Sequence, residues 1–145
     1  MEHKTFYKAG KKKVKITTAD NWFSKFIRIR DIVYGKTIVC PTCGMPFYWK
    51  DSDCGHYMTR DKPMTRFNEQ NCHAQCQSCN RFRGGEQSLH GKFIDYKYGA
   101  GTSDMLIALS KIRGQKRHTD LALKDIAKEY RLKAKAMAKE KGITL

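Results

Sequence analysis

The sequence predicts an α+β fold that is mostly helical, with a small zinc-stapled core between an N-terminal helix and several C-terminal helices. Four cysteines stand in two Cys-x-x-Cys pairs, Cys40/Cys43 and Cys76/Cys79, and paired thiolates at this spacing are typical of structural zinc sites. Apolar residues recur at helical spacing before the first pair and again after residue 89. Short β-prone runs lie close to the cysteines, which predicts small strands there.

Length and charge narrow the class of protein. The chain has 145 residues, with 40% hydrophobic and 30% charged residues, values that suit one globular domain and argue against wholesale disorder. The formal net charge is +15, and it stays at about +13 when four thiolates and one divalent zinc are counted. Such an excess of positive charge usually indicates that the protein binds a polyanion, most commonly nucleic acid. The alternative is a basic surface that only confers solubility.

Nothing in the sequence predicts export or membrane insertion. No apolar run approaches the roughly 18 residues of a membrane span, and the first residues lack the apolar segment of a secretory signal. Six cysteines fit metal ligation in a reducing compartment better than disulfides. We therefore expect a cytoplasmic protein.

The elements follow in order along the chain. Residues 1–16 are rich in lysine and are expected to form a basic flexible arm, either lying along a phosphate backbone or simply solvated. Residues 17–145 then form the single domain, with a core at 37–86 and a helical part at 87–141. A first helix is predicted to begin at Thr18 and to run to Gly35 with its aromatic face buried.

The cysteine-rich core is predicted to contain short strands and turns. The expected elements are a strand at 37–39, a knuckle turn at 40–44, a strand at 54–58, an exposed loop at 59–65 and a short helix from Cys76 to Gly84-Gly85. Helices are expected over 89–98, 103–112 and 119–141. The last helix either covers the core or forms a dimer contact, and the sequence does not choose between these.

The four paired cysteines form a closed ligand set. Four thiolates leave no open position for water on zinc, so this metal should hold the fold and not catalyse. Residues 44–75 separate the two pairs, which exceeds the commonest spacing of about 15–20 residues. A segment is therefore inserted between the halves. Cys54 and Cys72 have no partner at this spacing and are interpreted as ordinary buried thiols.

The segment from Asn71 to Asn80, NCHAQCQSCN, resembles the N-x4-C-x2-C-[NH] half of HNH nucleases, which have a ββα-metal (His-Me finger) core. His56, on the preceding strand, stands where that motif has its first histidine. The motifs DxGHY at 53–57, RFNExN at 66–71 and HxQCxxCN at 73–80 resemble more narrowly the NinG/Rap family of lambdoid phages. That family comprises recombination endonucleases that act on branched DNA. The resemblance covers roughly residues 20–135 and is strongest from 40 to 85.

The resemblance implies a metal-dependent phosphodiester hydrolase. Neutral imidazole, with a reference pKa near 6.5, can take a proton from water at pH 7, so His56 is expected to be the base. The amide oxygen of Asn80 suits Mg²⁺ or Mn²⁺, and the alternative is that Asn80 only caps a helix. Asn71 is included among the catalytic residues, with its amide expected to pin the loop so that His56 points correctly.

One departure from the HNH pattern concerns the second metal ligand. Many HNH nucleases have Asp directly before the catalytic histidine, whereas this chain has Gly55. Strand alternation puts Asp53 on the face opposite His56, which argues against it as a ligand unless a bulge intervenes. His73 is a further candidate for catalysis or metal binding, because a hairpin could bring it beside His56.

Basic residues close to these motifs are candidate DNA contacts, with ordinary solvated charges as the alternative. They are Arg60, Lys62, Arg66, Arg81, Arg83, Lys116 and Arg117.

The leading hypothesis is a phage-encoded, metal-dependent DNA endonuclease of the host cytoplasm that selects branched recombination intermediates such as Holliday junctions and D-loops. It would carry one structural zinc per chain and a catalytic Mg²⁺ or Mn²⁺, and it could act as a homodimer. The alternatives are a sequence-tolerant HNH nicking or homing-type nuclease and a non-catalytic, zinc-stabilised DNA-binding protein.

Overall fold

The computed structural model describes residues 14–145, so most of the predicted basic arm lies outside the described residues. Within residues 14–145 the helices are α1 (Thr18–Arg30), α2 (Pro63–Arg66), α3 (Gln87–Tyr98), α4 (Thr102–Ser110) and α5 (Asp120–Lys141). The strands are β1 (Thr37–Val39), β2 (Pro46–Tyr48), β3 (Ser52–His56) and β4 (Cys72–Cys76). A π-helical turn, Ser78–Phe82, follows β4. The prediction of a mixed, mostly helical fold with small sheets is therefore confirmed.

Helix α1 begins where the sequence predicts but ends earlier. Its start is a capping box in which the Thr17 backbone N–H donates to Asp20 Oδ2 at 2.8 Å and the Thr17 hydroxyl accepts from the Asp20 backbone N–H, a pairing that satisfies otherwise free N–H groups. The predicted end at Gly35 is wrong, because Asp31 caps the helix. The Asp31 carboxylate accepts a hydrogen bond from the Ala74 backbone N–H at 2.8 Å, which ties this end of α1 to β4.

The four strands form two antiparallel hairpins. In the first, Ile38 of β1 lies opposite Phe47 of β2, and the knuckle turn connects the two strands. In the second, the register is unbroken from Ser52↔Cys76 to His56↔Cys72. The strand predicted at 54–58 therefore lies two residues earlier. The expected exposed loop at 59–65 is partly wrong, because it leads into α2 and Thr65 is fully buried.

Helix α5 covers the core. Its Tyr130 and Ala134 pack with Phe23 and Ile27 of α1 and with Cys72, and further along Ala138 packs with α1 and Trp49. Among the described residues, none of the helices combines the length and apolar character that crossing a bilayer requires. The packing agrees with the first of the two interpretations of the last helix, and it leaves the β3–β4 hairpin between α1 and the π-helical turn.

Candidate functional site

The four paired cysteines converge on one point. The Sγ atoms of Cys40, Cys43, Cys76 and Cys79 all lie within 4.8 Å of one another, and those of Cys43 and Cys76 are 3.8 Å apart. A tetrahedral zinc with Zn–S bonds of about 2.3 Å requires sulfurs about 3.8 Å apart. The cluster could therefore hold one zinc ion, and it would join the β1–β2 hairpin to the end of β4.

Backbone and hydroxyl donors surround the sulfurs. The Cys76 N–H donates to Cys40 Sγ at 3.5 Å, and the Cys79 N–H donates to Cys76 Sγ at 3.4 Å. Burial raises the pKa of the Cys40 thiol, but hydrogen bonds from the Thr42 hydroxyl and from nearby backbone N–H groups outweigh burial and bring this pKa to about 6. The environment of Cys40 thus favours the thiolate, which is the form that binds metal.

A cleft of about 330 Å³ runs beside the β3–β4 hairpin. The candidate residues His56 and Asn80 both border it, together with Asp53 and Arg60. Its far wall is the first turns of α1, from Asp20 to Ser24. The structure therefore brings the predicted base and the predicted metal ligand to one cleft.

The surroundings of His56 favour the neutral ring. Burial lowers the pKa of His56, and hydrogen bonds with the backbone of Arg66 and Cys54 only partly oppose this. The ring Nε2 lies 3.1 Å from the Arg66 carbonyl oxygen, and because a carbonyl can only accept, Nε2 must carry the proton. The lone pair of the neutral ring is then on Nδ1, which can accept a proton from water.

Asp53 also borders the cleft, although β3 has no bulge. The expectation that alternation removes Asp53 from the site is wrong, because within residues 14–145 β3 pairs with β4 alone and its other edge is free. Residues from both faces can therefore reach a cleft along its free edge. The Asp53 carboxylate accepts from Asn80 Nδ2 at 3.0 Å and from the Arg81 guanidinium at 2.7 and 2.8 Å. Burial raises the pKa of Asp53, but these partners outweigh it and lower the pKa overall.

Asn71 is fully buried and joins the two segments that support His56. Its Oδ1 accepts from the Met58 N–H at 2.8 Å, and its Nδ2 donates to the carbonyls of Met58 and Thr65 at 3.0 and 3.1 Å. Thr65 precedes Arg66, whose carbonyl accepts the His56 proton. These are the contacts expected of a residue that pins the loop rather than one that touches substrate.

A comparison of the whole sequence with known protein families tests the family resemblance that the motifs suggest. Residues 2–140 match the family described as "Bacteriophage Lambda NinG protein". The chain belongs to the NinG family.

Two curated relatives agree with this membership. Protein ninG of Salmonella phage P22 is 31% identical over 123 residues, which cover 83% of this chain and 56% of the relative. Protein ninG of Escherichia phage lambda is 38% identical over 73 residues, which cover 48% of this chain and 32% of the relative. The chain therefore spans about half the length of the first relative and a third of the second. No solved structure matches it.

In this NinG-family chain, a steric constraint explains why position 55 is a glycine. A Cβ at Gly55 would lie 1.9 Å from Gln75 Oε1, because the Gln75 side chain crosses directly over this position. Gln75 Nε2 donates to the Thr42 hydroxyl at 3.2 Å and to the Gly85 carbonyl at 2.9 Å. The space that a side chain at position 55 would need is thus filled by Gln75, which ties the hairpin to the cysteine knuckle.

The NinG motif histidine at position 73 does not reach His56. It lies opposite Gly55 in the hairpin, whereas His56 lies opposite Cys72. The ring of His73 is hydrogen-bonded to His90 Nε2 at 2.9 Å and to the Tyr98 hydroxyl at 2.8 Å, and it borders a different cavity of about 400 Å³. The expectation that the hairpin brings it beside His56 is wrong, because odd and even positions of β4 face opposite ways.

The predicted DNA contacts of the NinG core differ in accessibility. Arg60 borders the cleft, and its Nε is buried without a hydrogen-bond partner among the described residues. Arg66 is 8% exposed and its guanidinium is paired with Asp20 at 2.6 Å, which corrects the expectation of a surface phosphate contact. Lys62 is half-buried at the start of α2. The remaining predicted contacts are exposed, namely Arg81, Arg83, Lys116 and Arg117.

Several residues that border this site are not indicated by any sequence motif. Asp20, Asn21 and Ser24 of α1 border the cleft, yet they precede the cysteine-rich segment and match no motif. The capping-box spacing of Thr17 and Asp20 predicts a helix start, but it does not indicate that Asp20 also pairs with Arg66.

Proposed function

We propose that this chain is a metal-dependent DNA endonuclease that cuts branched recombination intermediates such as Holliday junctions and D-loops. The observation that carries the proposal is the meeting of His56, Asn80 and Asp53 on one cleft that Arg60 also borders. Two antiparallel strands followed by a helical turn that carries Asn80 are also what an HNH (ββα-metal) core requires. Membership of the NinG family supports the same conclusion.

In this proposal His56 is the general base. With Nε2 donating to the Arg66 carbonyl, Nδ1 takes a proton from the water that attacks the phosphorus, and the 3′ oxygen leaves. The lowered pKa of His56, caused mainly by burial, keeps the ring neutral at pH 7 and ready to accept that proton. Through its hydrogen bonds to the Met58 and Thr65 carbonyls, Asn71 holds in place the segments that orient the His56 ring.

Asp53 and Asn80 are the residues that would hold a hard divalent cation. A carboxylate and an amide oxygen are ligands that Mg²⁺ and Mn²⁺ prefer, and the Asn80 Nδ2 that donates to Asp53 leaves the amide oxygen for an ion. When bound, such an ion would stabilise negative charge on the phosphate and on the departing oxygen. Arg81, which now pairs with Asp53, is largely exposed and can exchange this pairing for a DNA phosphate.

Arg60 is suited to a phosphate in the cleft. A buried guanidinium nitrogen without a partner costs free energy, and an anion that enters the cleft would remove that cost. The net charge of +15 would hold several DNA arms by their backbones. Selection would then come from the shape of the branch and not from base sequence.

The decisive experiment is a cleavage assay on a four-way junction, a D-loop and a linear duplex with Mg²⁺ or Mn²⁺. Wild type is compared with His56→Ala, and with His118→Ala as a half-buried histidine outside the cleft. We expect His56→Ala to lose at least about a hundredfold in cleavage rate while salt-sensitive binding persists. Unchanged cutting by His56→Ala would overturn the assignment of the base.

A second comparison tests the metal ligands. Asp53→Asn is expected to raise the Mg²⁺ concentration needed for half-maximal cleavage by about tenfold or more. Asp51→Asn removes an exposed carboxylate two residues away and should have no effect. Equal metal dependence of both variants would exclude Asp53 as a ligand.

A non-catalytic, zinc-stabilised DNA-binding protein is the second candidate. The pairing of both Asp53 oxygens with Arg81 favours it, because a lasting ion pair would occupy the carboxylate. Junction binding without cleavage by wild type under either metal would select this alternative.

A further inference from the structure

We propose that Cys54, His56 and Cys72 form a second metal site, for a thiophilic divalent cation such as Zn²⁺ or Co²⁺, separate from the four-cysteine cluster. The two Sγ atoms and a ring nitrogen of His56 all lie within 4.8 Å of one another. Neither cysteine belongs to a Cys-x-x-Cys pair, and the reaction proposed above uses neither of them.

The β3–β4 hairpin creates this cluster by its register. Cys54 and His56 are two residues apart on β3 and therefore share a face, and Cys72 lies directly opposite His56 on β4. In a tetrahedral zinc site the ligand atoms are about 3.5–3.8 Å apart, so the side chains need to close by only about 1 Å. Three protein ligands leave a fourth position, and Cys54 and His56 open it to the cleft.

The surroundings fit a bound cation in this pocket. Binding releases two thiol protons to solvent, so a divalent ion with two thiolates and a neutral imidazole adds no net charge to a site where Cys72 is fully buried. Asn71 Nδ2 lies 3.8 Å from Cys72 Sγ and can donate to the thiolate. The Arg66 carbonyl accepts the proton on His56 Nε2, which orients the ring as outer partners of metal-bound histidines do and leaves Nδ1 as the ligand.

The ligand types separate this site from the one proposed for Mg²⁺. Thiolate and imidazole favour zinc-like ions, whereas the oxygens of Asp53 and Asn80 favour Mg²⁺ and Mn²⁺. A cation on His56 Nδ1 occupies the lone pair that accepts the proton from water. This has a consequence that rests on the proposed function. Excess Zn²⁺ is expected to inhibit the cleavage that Mg²⁺ supports.

Cobalt spectroscopy tests the binding without reference to activity. Full-length protein whose four-cysteine cluster carries zinc is titrated with Co²⁺ under a phosphine reductant. We expect wild type to take up about one Co²⁺ per chain with the visible d–d and sulfur-to-cobalt bands of a tetrahedral thiolate site. Cys54→Ala should lose these bands, while Ser24→Ala, a control in the same cleft, should keep them.

Two checks keep the result interpretable. Far-UV circular dichroism and the retained zinc content show that each variant is folded, and Cys72→Ser provides a second ligand variant. Absence of the bands in wild type, or their persistence in folded Cys54→Ala, would overturn the site. These outcomes do not depend on whether the protein cuts DNA.

Cleavage in Mg²⁺ with added Zn²⁺ then tests the link to the base. Zinc is expected to inhibit wild type and to lose most of that effect on Cys54→Ala. Equal inhibition of a Cys54→Ala variant that no longer binds Co²⁺ would overturn the link. If the proposed function itself is wrong, wild type will not cleave DNA even before zinc is added, and this outcome can be recognised separately.

Discussion

Gly55 shows how a single residue connects the hairpin with the cysteine knuckle. The side chain of Gln75 lies where a Cβ of residue 55 would be, and its amide bonds to Thr42 and Gly85 hold that side chain in place. A longer side chain at residue 55 must therefore displace a buried, hydrogen-bonded group. The glycine at position 55 and the placement of the Gln75 side chain are then two aspects of one packing arrangement.

Gly55→Ala is accordingly expected to lower the free energy of unfolding by about 1–3 kcal/mol, as overpacking of a core does. Gln75→Ala also destabilises, because it removes two hydrogen bonds, but it opens the space above Gly55. The double variant should therefore lose less than the sum of the two single losses, which urea denaturation of all four proteins measures. Additive losses would mean that the two residues do not compete for this space.

The residues of the cleft differ in how well a sequence predicts them. His56 and Asn80 are predicted by motif spacing, and both border the cleft. Strand alternation argues against Asp53, yet it borders the same cleft, because a cleft along the edge of a sheet can be lined by side chains from both faces. His73 is the converse case, since it belongs to the motif but packs against His90 and Tyr98.

At the scale of elements, the contact between α1 and α5 includes a charged cap. Lys141, the last residue of α5, donates from Nζ to the carbonyls of Ile29, Arg30 and Ile32 at 3.0, 2.7 and 2.9 Å. Free carbonyls at a helix C-terminus attract a cation. This contact helps to explain why α1 ends at Arg30 and not at Gly35, and no local pattern in α1 predicts a partner more than a hundred residues away.

Lys141→Met is expected to destabilise the protein by about 1–2 kcal/mol, because it removes hydrogen bonds from a charged donor to buried carbonyls while keeping most of the apolar stem. Lys139→Met removes an exposed lysine of the same helix turn and should change stability by less than about 0.5 kcal/mol. Thermal or urea unfolding compares the two variants. Equal effects would indicate that Lys141 acts only through general charge.

Helix α3 and β4 are joined by two buried histidines that should make stability depend on pH. Burial lowers the pKa of His73 to about 2, with the charges of His90, Arg30 and Lys97 adding to the effect. Burial, together with His56, lowers the pKa of His90 to about 4. Both folded-state values lie below the value of about 6.5 in an unfolded chain, so the unfolded chain binds more protons in this range.

The stability from these histidines is therefore present above pH 6.5 and is lost as the pH falls through the folded-state values. Each histidine should contribute a slope of about 1.4 kcal/mol per pH unit between pH 6.5 and its own folded pKa. His90→Gln is expected to reduce the slope between pH 6.5 and 4 in urea denaturation. An unchanged slope would show that His90 is not neutral and buried in the folded state.

At the scale of the whole molecule, charge and symmetry set the expectations for DNA. The net charge of +15 predicts that binding weakens steeply with salt, because Lys and Arg release counterions from phosphates. Symmetric resolution of a four-way junction calls for two active sites, so a homodimer on DNA stays a prediction. The exposed residues Arg83, Lys116 and Arg117 are the candidates for contacts beyond the cleft.

The cysteine cluster is expected to determine whether the central part of the molecule folds at all. It joins the β1–β2 hairpin to the end of β4, and Gln75 and Thr42 carry that connection to Gly55 in β3. Since the ligands meet only in the folded chain, the free energy of zinc binding is also free energy of folding.

Purified protein should therefore contain one zinc per chain that resists mild chelation, and Cys76→Ser should lose that zinc and unfold the 37–86 segment. Cys54→Ala, which removes a cysteine outside the cluster, should keep both the zinc and the fold. Elemental analysis and amide hydrogen exchange measure the two effects, with fast exchange over β3 and β4 expected only in Cys76→Ser. A well-folded wild type without zinc would contradict this account, because the hairpin that holds His56 would then be ordered by side-chain packing and hydrogen bonds alone.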